Sequence, residues 1–261
     1  KLVSTVKLQK AKGRAENTKP YFDLMYETVQ SILAKSGHIN HKYLKESESD
    51  KKAVIVVTAN RGLAGGYNSN ITRMIIDEGF TKENTVVYAV GKKGRELLER
   101  KGYEIKADYS EAINDPIYKD AKEICDDVLS AFADGEVGEI YLAYTVFKNT
   151  VVHEPQLIRL LPVEADDAAH ETDGSEALMT YEPSEEEALD MIIPKYVCSL
   201  VYGALIESVA SENGARMQAM DSATSNAEEM ISTLSLKYNR ARQASITQEL
   251  TEIIAGANAI E

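Results

Sequence analysis

The fold of this chain is decided by its last stretch, which reads Ile246-Thr247-Gln248-Glu249-Leu250-Thr251-Glu252-Ile253-Ile254-Ala255-Gly256-Ala257-Asn258-Ala259. This stretch ends a helical pattern that begins after Pro183 and that no loop signal longer than one residue interrupts. At about 1.5 Å of rise per residue, a helix over this range extends on the order of 100 Å. A helix of that length is a shaft and not an element of a compact core.

An apolar stripe along the predicted helix indicates that it has a partner. The stripe comprises Leu189, Ile192, Ile193, Tyr196, Val197, Leu200, Val201, Leu205, Val209, Met230, Leu234, Tyr238, Leu250, Ile253 and Ile254. Between Val209 and Met230 it thins to small residues, which permit close approach of another helix. Pro194 is expected to bend the helix near its base, because a proline ring clashes with the carbonyl four residues earlier.

The first 37 residues can supply the partner helix. Apolar residues recur there at helical spacing, and Gly37 is a plausible end of the helix. Pro20 is expected to kink or briefly break this helix. The chain starts at Lys1 in the middle of a helical pattern without a capping residue, so we expect a native segment to precede it.

The middle of the chain changes to short apolar runs that alternate with amphipathic helices. The predicted strands cover residues 53–58, 85–90, 139–145 and 156–161, and the predicted helices cover residues 69–79, 92–101 and 116–132. This alternation is typical of parallel βαβ units in a Rossmann-like sheet. The predicted fold class is therefore α/β: a long antiparallel two-helix coiled coil from the two termini, with an inserted Rossmann-like domain. Residues 1–44 and 183–261 form the shaft, and residues 45–182 form the inserted domain with an acidic linker.

The charge is distributed unevenly along the chain. The net charge is −13, and every ionised side chain between Glu164 and Asp190 is acidic, whereas the first nineteen residues are strongly basic. Two interpretations stay open: both segments are solvated surface, or the basic part of the shaft runs past an acidic partner. The acidic total makes nucleic acid a poor candidate partner. No apolar run reaches the roughly 18 residues of a membrane helix, so no span is expected.

The strongest enzyme-like signal is the glycine-rich turn from Thr58 to Asn68, which follows the first strand and precedes a helix. Such turns often hold phosphate on free backbone amides, but this one lacks the dinucleotide and P-loop patterns. A structural turn is the favoured interpretation. His38 and His41 are interpreted as surface residues, and Cys125 and Cys198 as isolated thiols that pack between helices in a reducing compartment. No residue set indicates catalysis, a metal site or a cofactor.

Three blocks carry a family resemblance. They are the block Ile246-Thr247-x-Glu249-x-x-Glu252-x-x-x-Gly256-Ala257-x-Ala259, the segment Arg61-Gly62-Leu63-Ala64-Gly65-Gly66-Tyr67-Asn68-Ser69-Asn70 and the triplet Tyr181-Glu182-Pro183, each of which is similar to a motif of the same family. Over nearly its full length the chain resembles the gamma subunits of F-type ATP synthases. Because no chloroplast-type cysteine insertion is visible, the resemblance is to bacterial members.

The resemblance implies a non-catalytic rotor without a cofactor. The two terminal helices would turn inside a ring of alpha and beta subunits, and the inserted domain would contact the epsilon subunit and the membrane c-ring. Arg242, Gln243, Thr247 and Glu249 would contact the catch region of a beta subunit. The residues Gly62, Gly65, Gly66, Tyr181, Glu182 and Pro183 would belong to structural motifs at the foot. The chain would lie peripherally on the cytoplasmic face of the bacterial plasma membrane.

Two rivals from other classes stay open on the residues alone. One is a nucleotide-binding α/β enzyme with a coiled-coil dimerisation arm, which rests on the turn from Gly62 to Gly66. The other is a helical adaptor unrelated to ATP synthases.

Overall fold

The structure is a computed structural model that describes residues 2–35, 41–45, 49–163 and 184–258. The helices are α1 (Leu2–Lys35), α2 (Tyr67–Asp77), α3 (Lys92–Arg100), α4 (Tyr118–Ala133) and α5 (Glu185–Asn258). The strands are β1 (Lys52–Val57), β2 (Thr85–Val90), β3 (Glu104–Asp108), β4 (Glu139–Phe147) and β5 (His153–Leu161). A short 3-10 helix covers Ala112–Asn114.

The five strands form one sheet in the order β3-β2-β1-β4-β5. The strands β1, β2, β3 and β4 run parallel, with Lys52 opposite Thr85 on one side and opposite Glu139 on the other. This order and direction confirm the α/β class. The last strand departs from the prediction of parallel units throughout, because β5 pairs antiparallel with β4. The connection of a few residues between β4 and β5 allows a hairpin, whereas a parallel pair needs a long crossover.

Strand β3 was not predicted from the sequence. Glu104, Lys106 and Asp108 alternate with Ile105 and Ala107, so the strand carries little apolar content. Its place at the edge of the sheet explains this composition, since charged side chains protect an edge strand from further pairing.

Apolar layers pack on both faces of the sheet. On one face, Ala53, Ile55 and Val57 of β1 lie in a buried cluster with residues of α1, α4 and the first third of α5. On the other face, Val54 and Val56 lie in a cluster with residues of α2 and α3. The alternation of β1 side chains between the two clusters is the period of two that a strand imposes. The sheet is therefore a middle layer that α5 covers on one side.

Helices α1 and α5 pack against each other in antiparallel directions. Thr5 contacts the sulfur of Met217 at 3.6 Å, whereas Phe22 stacks edge-on with Tyr202 and Tyr26 lies beside Tyr196. Early residues of α1 thus meet late residues of α5. The helix α1 continues through Pro20, so the predicted break does not occur, and α5 continues through Pro194.

The start of α5 has a capping residue that was not predicted. The hydroxyl of Ser184 accepts a hydrogen bond from the Glu187 amide at 3.2 Å, and the Ser184 carbonyl accepts one from the Ala188 amide. These bonds satisfy amides that a helix start leaves without partners. The predicted motif Tyr181-Glu182-Pro183 lies outside the described residues, as do the acidic segment that precedes it, Gly37, His38 and His170.

The chain divides into two compact units, residues 1–218 and residues 219–261. Within the described residues, α5 contains a stretch long and apolar enough to cross a membrane, with a mean hydropathy of 1.5. However, 56% of that stretch is buried inside the chain, which is the pattern of a core helix. By itself this composition says little about a membrane.

Candidate functional site

The second unit is a helix whose side chains are exposed from Asp221 to Asn258. Its large apolar residues share this exposure: Met230 65%, Leu234 61%, Tyr238 68%, Ile246 49%, Leu250 55%, Ile253 68% and Ile254 59%. In contrast, the earlier part of the same stripe is buried or half-buried, and Leu189 and Leu205 are fully buried. Apolar surface left open over such a length marks an interaction site. The first part of the predicted apolar stripe is therefore covered by other residues of this chain, and its last part is exposed.

The four predicted contact residues are all exposed on this helix. The Thr247 hydroxyl donates to the Gln243 carbonyl at 2.8 Å, and the Ser245 hydroxyl donates to the Glu249 carboxylate at 3.5 Å. Arg242 has no ion-pair partner among the residues that the structure describes. Among the residues that the structure describes, none of the four side chains forms a hydrogen bond or ion pair outside its own helix.

The helical period places the four residues on the two flanks of the apolar stripe. At 100° per residue, Gln243 and Thr247 lie about 40° apart, and Arg242 and Glu249 lie about 20° apart on the other flank. Ile246, Leu250 and Ile253 project between the two pairs. An apolar strip with a polar rim is the anatomy of a protein interface.

The glycine-rich turn docks on α5. The guanidinium of Arg216 donates to the carbonyls of Arg61 at 3.4 Å and Gly62 at 3.3 Å, and it pairs with Glu212 at 2.6 Å. The hydroxyl of Tyr67 donates to the Ser208 carbonyl at 3.1 Å and is buried. These contacts give the turn a structural role, as the sequence favoured, and they weaken the rival that uses it as a phosphate cradle.

The three glycines of the turn differ in what the backbone requires of them. Gly65 has a φ of +57° and follows Leu63 at +60°, so the chain reverses through two left-handed residues. Gly66 immediately precedes α2, where an added Cβ would lie 3.1 Å from the Asn70 side chain. Gly62 has open space around it. The side-chain oxygen Oδ1 of Asn68 closes the turn by accepting a hydrogen bond from the Ala59 amide at 2.8 Å.

The sequence prediction missed the side chains that hold this turn. Tyr67 was quoted only as a member of the glycine-rich motif, with no role of its own. Arg216 was not singled out, although Glu212 and Arg216 stand four residues apart, the spacing of an ion pair on one helix face. That spacing is common, and only the fold brings it beside the turn.

One histidine prediction was wrong. His41 is not a surface residue, because only 2% of it is exposed. The Tyr43 amide donates to Nδ1 of His41 at 3.3 Å, and Nε2 of the same ring lies 3.2 Å from the Asp190 carboxylate. His41 thus ties the segment after α1 to the start of α5.

The two cysteines are buried, which fits the packing role predicted for them, but they are not isolated. The Cys125 thiol hydrogen-bonds Cys198, and this hydrogen bond lowers the pKa of the Cys198 thiol below its usual value. In the part of the chain that the structure describes, no group of three or more histidine, cysteine or acidic side chains is arranged to hold a metal ion.

Comparison with known proteins identifies the family. A family model described as ATP synthase matches residues 1–260. The ATP synthase gamma chain of Lachnoclostridium phytofermentans is 67% identical over 100% of this chain and 91% of its own length. The sodium ion specific ATP synthase gamma chain of Acetobacterium woodii is 42% identical over 99% of this chain and 91% of its own. These matches exclude an adaptor unrelated to ATP synthases.

Solved structures with the same fold are distant in sequence. A chain of the Euglena gracilis mitochondrial ATP synthase superposes with a TM-score of 0.61 at 18% identity, covering 99% of this chain and 93% of its own. A chain from the central stalk and c-ring of the Tetrahymena thermophila mitochondrial ATP synthase gives 0.58 at 22% identity, covering 85% and 99%. The fold and the full-length sequence matches agree, and the chain belongs to the ATP synthase gamma chain family.

Proposed function

We propose that this chain is the non-catalytic central-stalk rotor subunit of a proton-translocating F-type ATP synthase. In this role it couples rotation of the membrane c-ring to ATP synthesis or hydrolysis at the beta subunits. One observation carries the proposal: a helix with open apolar residues from Met230 to Ile254 belongs to a chain of the gamma family. Such a helix is built to be enclosed by other subunits.

The proposed shaft is an antiparallel coiled coil of residues 1–44 and 183–261, and the proposed foot is residues 45–182. The contacts between Thr5 and Met217 and between Tyr26 and Tyr196 support the antiparallel direction. The foot would contact the epsilon subunit and the c-ring, with Gly62, Gly65, Gly66, Tyr181, Glu182 and Pro183 in its structural motifs. In this proposed arrangement the chain would lie peripherally on the cytoplasmic face of a bacterial plasma membrane.

The mechanism rests on differential contact. A shaft with different side chains around its axis presents a different surface to each beta subunit. A partner changes a conformational equilibrium only by binding one state better than another. The angle of the shaft would therefore select which catalytic site is open, and a rigid-body rotation would change that selection in turn. No acid-base group or cofactor of this chain takes part.

The proposed contact with the beta catch region involves both flanks of the exposed stripe. Arg242 and Glu249 lie on one flank, and Gln243 and Thr247 lie on the other. Arg242 supplies a planar donor suited to a carboxylate, and Gln243 supplies an amide that can donate and accept. The apolar residues between them would bury surface while these groups set the angle at which the subunits engage.

The test is the double variant Arg242→Ala with Gln243→Ala, assembled with alpha, beta and the membrane sector in vesicles. We expect ATP synthesis to fall about tenfold or more, since two polar contacts to charged or dipolar partners are each worth on the order of 1 kcal/mol. The circular dichroism of the isolated chain should stay unchanged, because both side chains are exposed.

The matched control is Lys237→Ala, an exposed cation on the same helix. It stands five residues from Arg242, about 140° around the helix, so its loss should leave synthesis near the unaltered rate. Equal rates for the double variant and the unaltered chain would contradict the proposed contact. Because a relative is described as sodium ion specific, synthesis should be driven separately by a proton gradient and by a sodium gradient.

A further inference from the structure

A cavity of about 580 Å³ lies in the first unit, at the carboxyl end of β1. Its walls come from α1, from Asn60 and Arg61 after β1, from residues 113–116 and from α5. In open α/β sheets ligands bind in the crevice beyond the carboxyl ends of the strands. The volume falls within the range of small-molecule sites, which is roughly 300–1,000 Å³.

The cavity is basic although the chain is acidic. Five of its lining side chains are cationic, from Lys7, Lys10, Arg14, Arg61 and Arg216, against two carboxylates, Asp115 and Glu212. The net charge of the whole chain is −13. A local excess of positive charge inside a concave wall concentrates anions there.

Two of the five cations have no carboxylate to neutralise them. Arg216 pairs with Glu212 at 2.6 Å, and Asp115 pairs with Arg14 at 2.6 Å and with Lys10 at 4.0 Å. Lys7 and Arg61 form no ion pair with any residue that the structure describes. Two unpaired positive charges are better matched by an anion of charge −2 than by a carboxylate of charge −1.

The rest of the wall is mixed, with Asn60, Asn114 and Asn213 polar and Ala11, Ile113, Pro116, Ile206 and Val209 apolar. Among the apolar side chains, Val209 is only half-buried and so keeps apolar surface that a ligand can cover. A bare inorganic ion would leave this surface in water, whereas a ligand with an organic part would cover it. Covering apolar surface is favourable because it removes that surface from water.

From this combination we propose that the cavity binds a small phosphate ester. Arg61 and Lys7 hold the phosphate, for which the planar guanidinium is well matched, and the apolar part of the wall receives the organic group. Asp115 opposes binding, because its carboxylate competes for Arg14 and repels the phosphate. The site is separate from the exposed helix of the second unit, so this inference does not depend on the proposed rotor function.

The test is calorimetric titration of the full chain with phenyl phosphate at about 50 mM salt, where screening is weak. We expect saturable binding that is at least about tenfold tighter than for inorganic phosphate, because the ring adds apolar contact. Arg61→Ala should weaken binding about tenfold, the effect of one lost charge-assisted hydrogen bond. Asp115→Asn should strengthen it.

The matched control is Arg73→Ala, an exposed arginine on α2 that does not line the cavity. Its binding should equal that of the unaltered chain. If Arg61→Ala does not fold, judged by its unfolding midpoint, Lys7→Ala takes its place. No saturable binding, equal binding of phenyl phosphate and inorganic phosphate, equal losses in the Arg61 and Arg73 variants, or weaker binding by Asp115→Asn would each overturn the proposal.

Discussion

Gly91, which follows β2, occupies a position that admits no side chain. Its φ is +116°, and an added Cβ would lie 2.1 Å from the carbonyl oxygen of Thr58. We predict that Gly91→Ala lowers the free energy of unfolding by about 3 kcal/mol or more, because backbone strain and a clash with main-chain atoms add. Urea unfolding of the two chains measures the difference.

The control for this prediction is Gly79→Ala. Gly79 also has a positive φ, +81°, but an added Cβ would meet nothing within 4 Å. The alanine there carries only the left-handed penalty of about 1–2 kcal/mol. Equal losses in the two variants would mean that the contact with Thr58 does not matter.

Arg216 is the second residue whose role follows from its contacts. Its side chain is 13% exposed, and it joins Glu212 to the carbonyls of Arg61 and Gly62. We predict that Arg216→Leu lowers the free energy of unfolding by about 2–4 kcal/mol, because Glu212 is left half-buried without its partner. Urea unfolding measures it, with the exposed substitution Arg73→Leu as control. A loss as small as that of the control would refute the docking role.

At the scale of single residues, contacts between residues that are far apart in the sequence could not be predicted. The glycines of the turn can be recognised from the sequence alone, because clustered glycines are typical of a chain reversal. Arg216 does not, because it contacts Arg61 from 155 residues away. The residues near Arg216 in the sequence do not distinguish it from an arginine on a solvated helix face. Its contact with the turn can therefore be seen only in the folded structure.

At the scale of elements, the strands with many apolar residues were the ones that could be predicted from the sequence. Strand β2 was predicted with its observed bounds, Thr85 to Val90, because it is fully buried and its sequence is a continuous run rich in β-branched residues. Strand β3 was missed because an edge strand needs few apolar residues. The direction of β5 was also missed, since a strand's own residues carry no sign of whether its neighbour runs parallel.

An ion-pair set joins three neighbouring strands. Glu139 of β4 lies 2.8 Å from the ammonium of Lys52 on β1 and 3.5 Å from the guanidinium of Arg159 on β5. Burial raises the pKa of Glu139, but the hydrogen bond and charge of Lys52, with smaller contributions from Tyr141 and Arg159, together outweigh burial and hold this pKa below its usual value of 4.5. A carboxylate with a depressed folded pKa stabilises the fold above the unfolded value.

This stabilisation should disappear in acid. We predict that the unaltered chain loses about 1 kcal/mol more free energy of unfolding between pH 7 and pH 3 than Glu139→Gln does. The glutamine cannot titrate, so it lacks the component that is lost as pH falls below about 4.5. Urea unfolding at both pH values measures the difference. A parallel decline of the two chains would show that Glu139 does not contribute.

At the scale of the molecule, one helix serves two environments. Its first part is covered by the sheet and α1, whereas from Asp221 onward every described side chain is exposed. The sequence predicted the stripe in both parts, because periodicity records which face is apolar. It could not tell which part this chain covers, since that depends on where the sheet and α1 end.

This contrast predicts a difference in amide hydrogen exchange along α5. Helices without tertiary packing are marginally stable in water, so amides of residues 221–250 should exchange about 100-fold faster than those of residues 189–205 in the isolated chain. Assembly with alpha and beta subunits should slow residues 221–250 by a comparable factor, because the proposed enclosure covers the stripe. Exchange in β1, already buried on both faces, should not change and is the internal control.

Protection of residues 221–250 in the isolated chain would show that this helix is stable without partners. Unchanged exchange after assembly would remove the main support for enclosure, since a covered apolar face cannot open as freely as an exposed one.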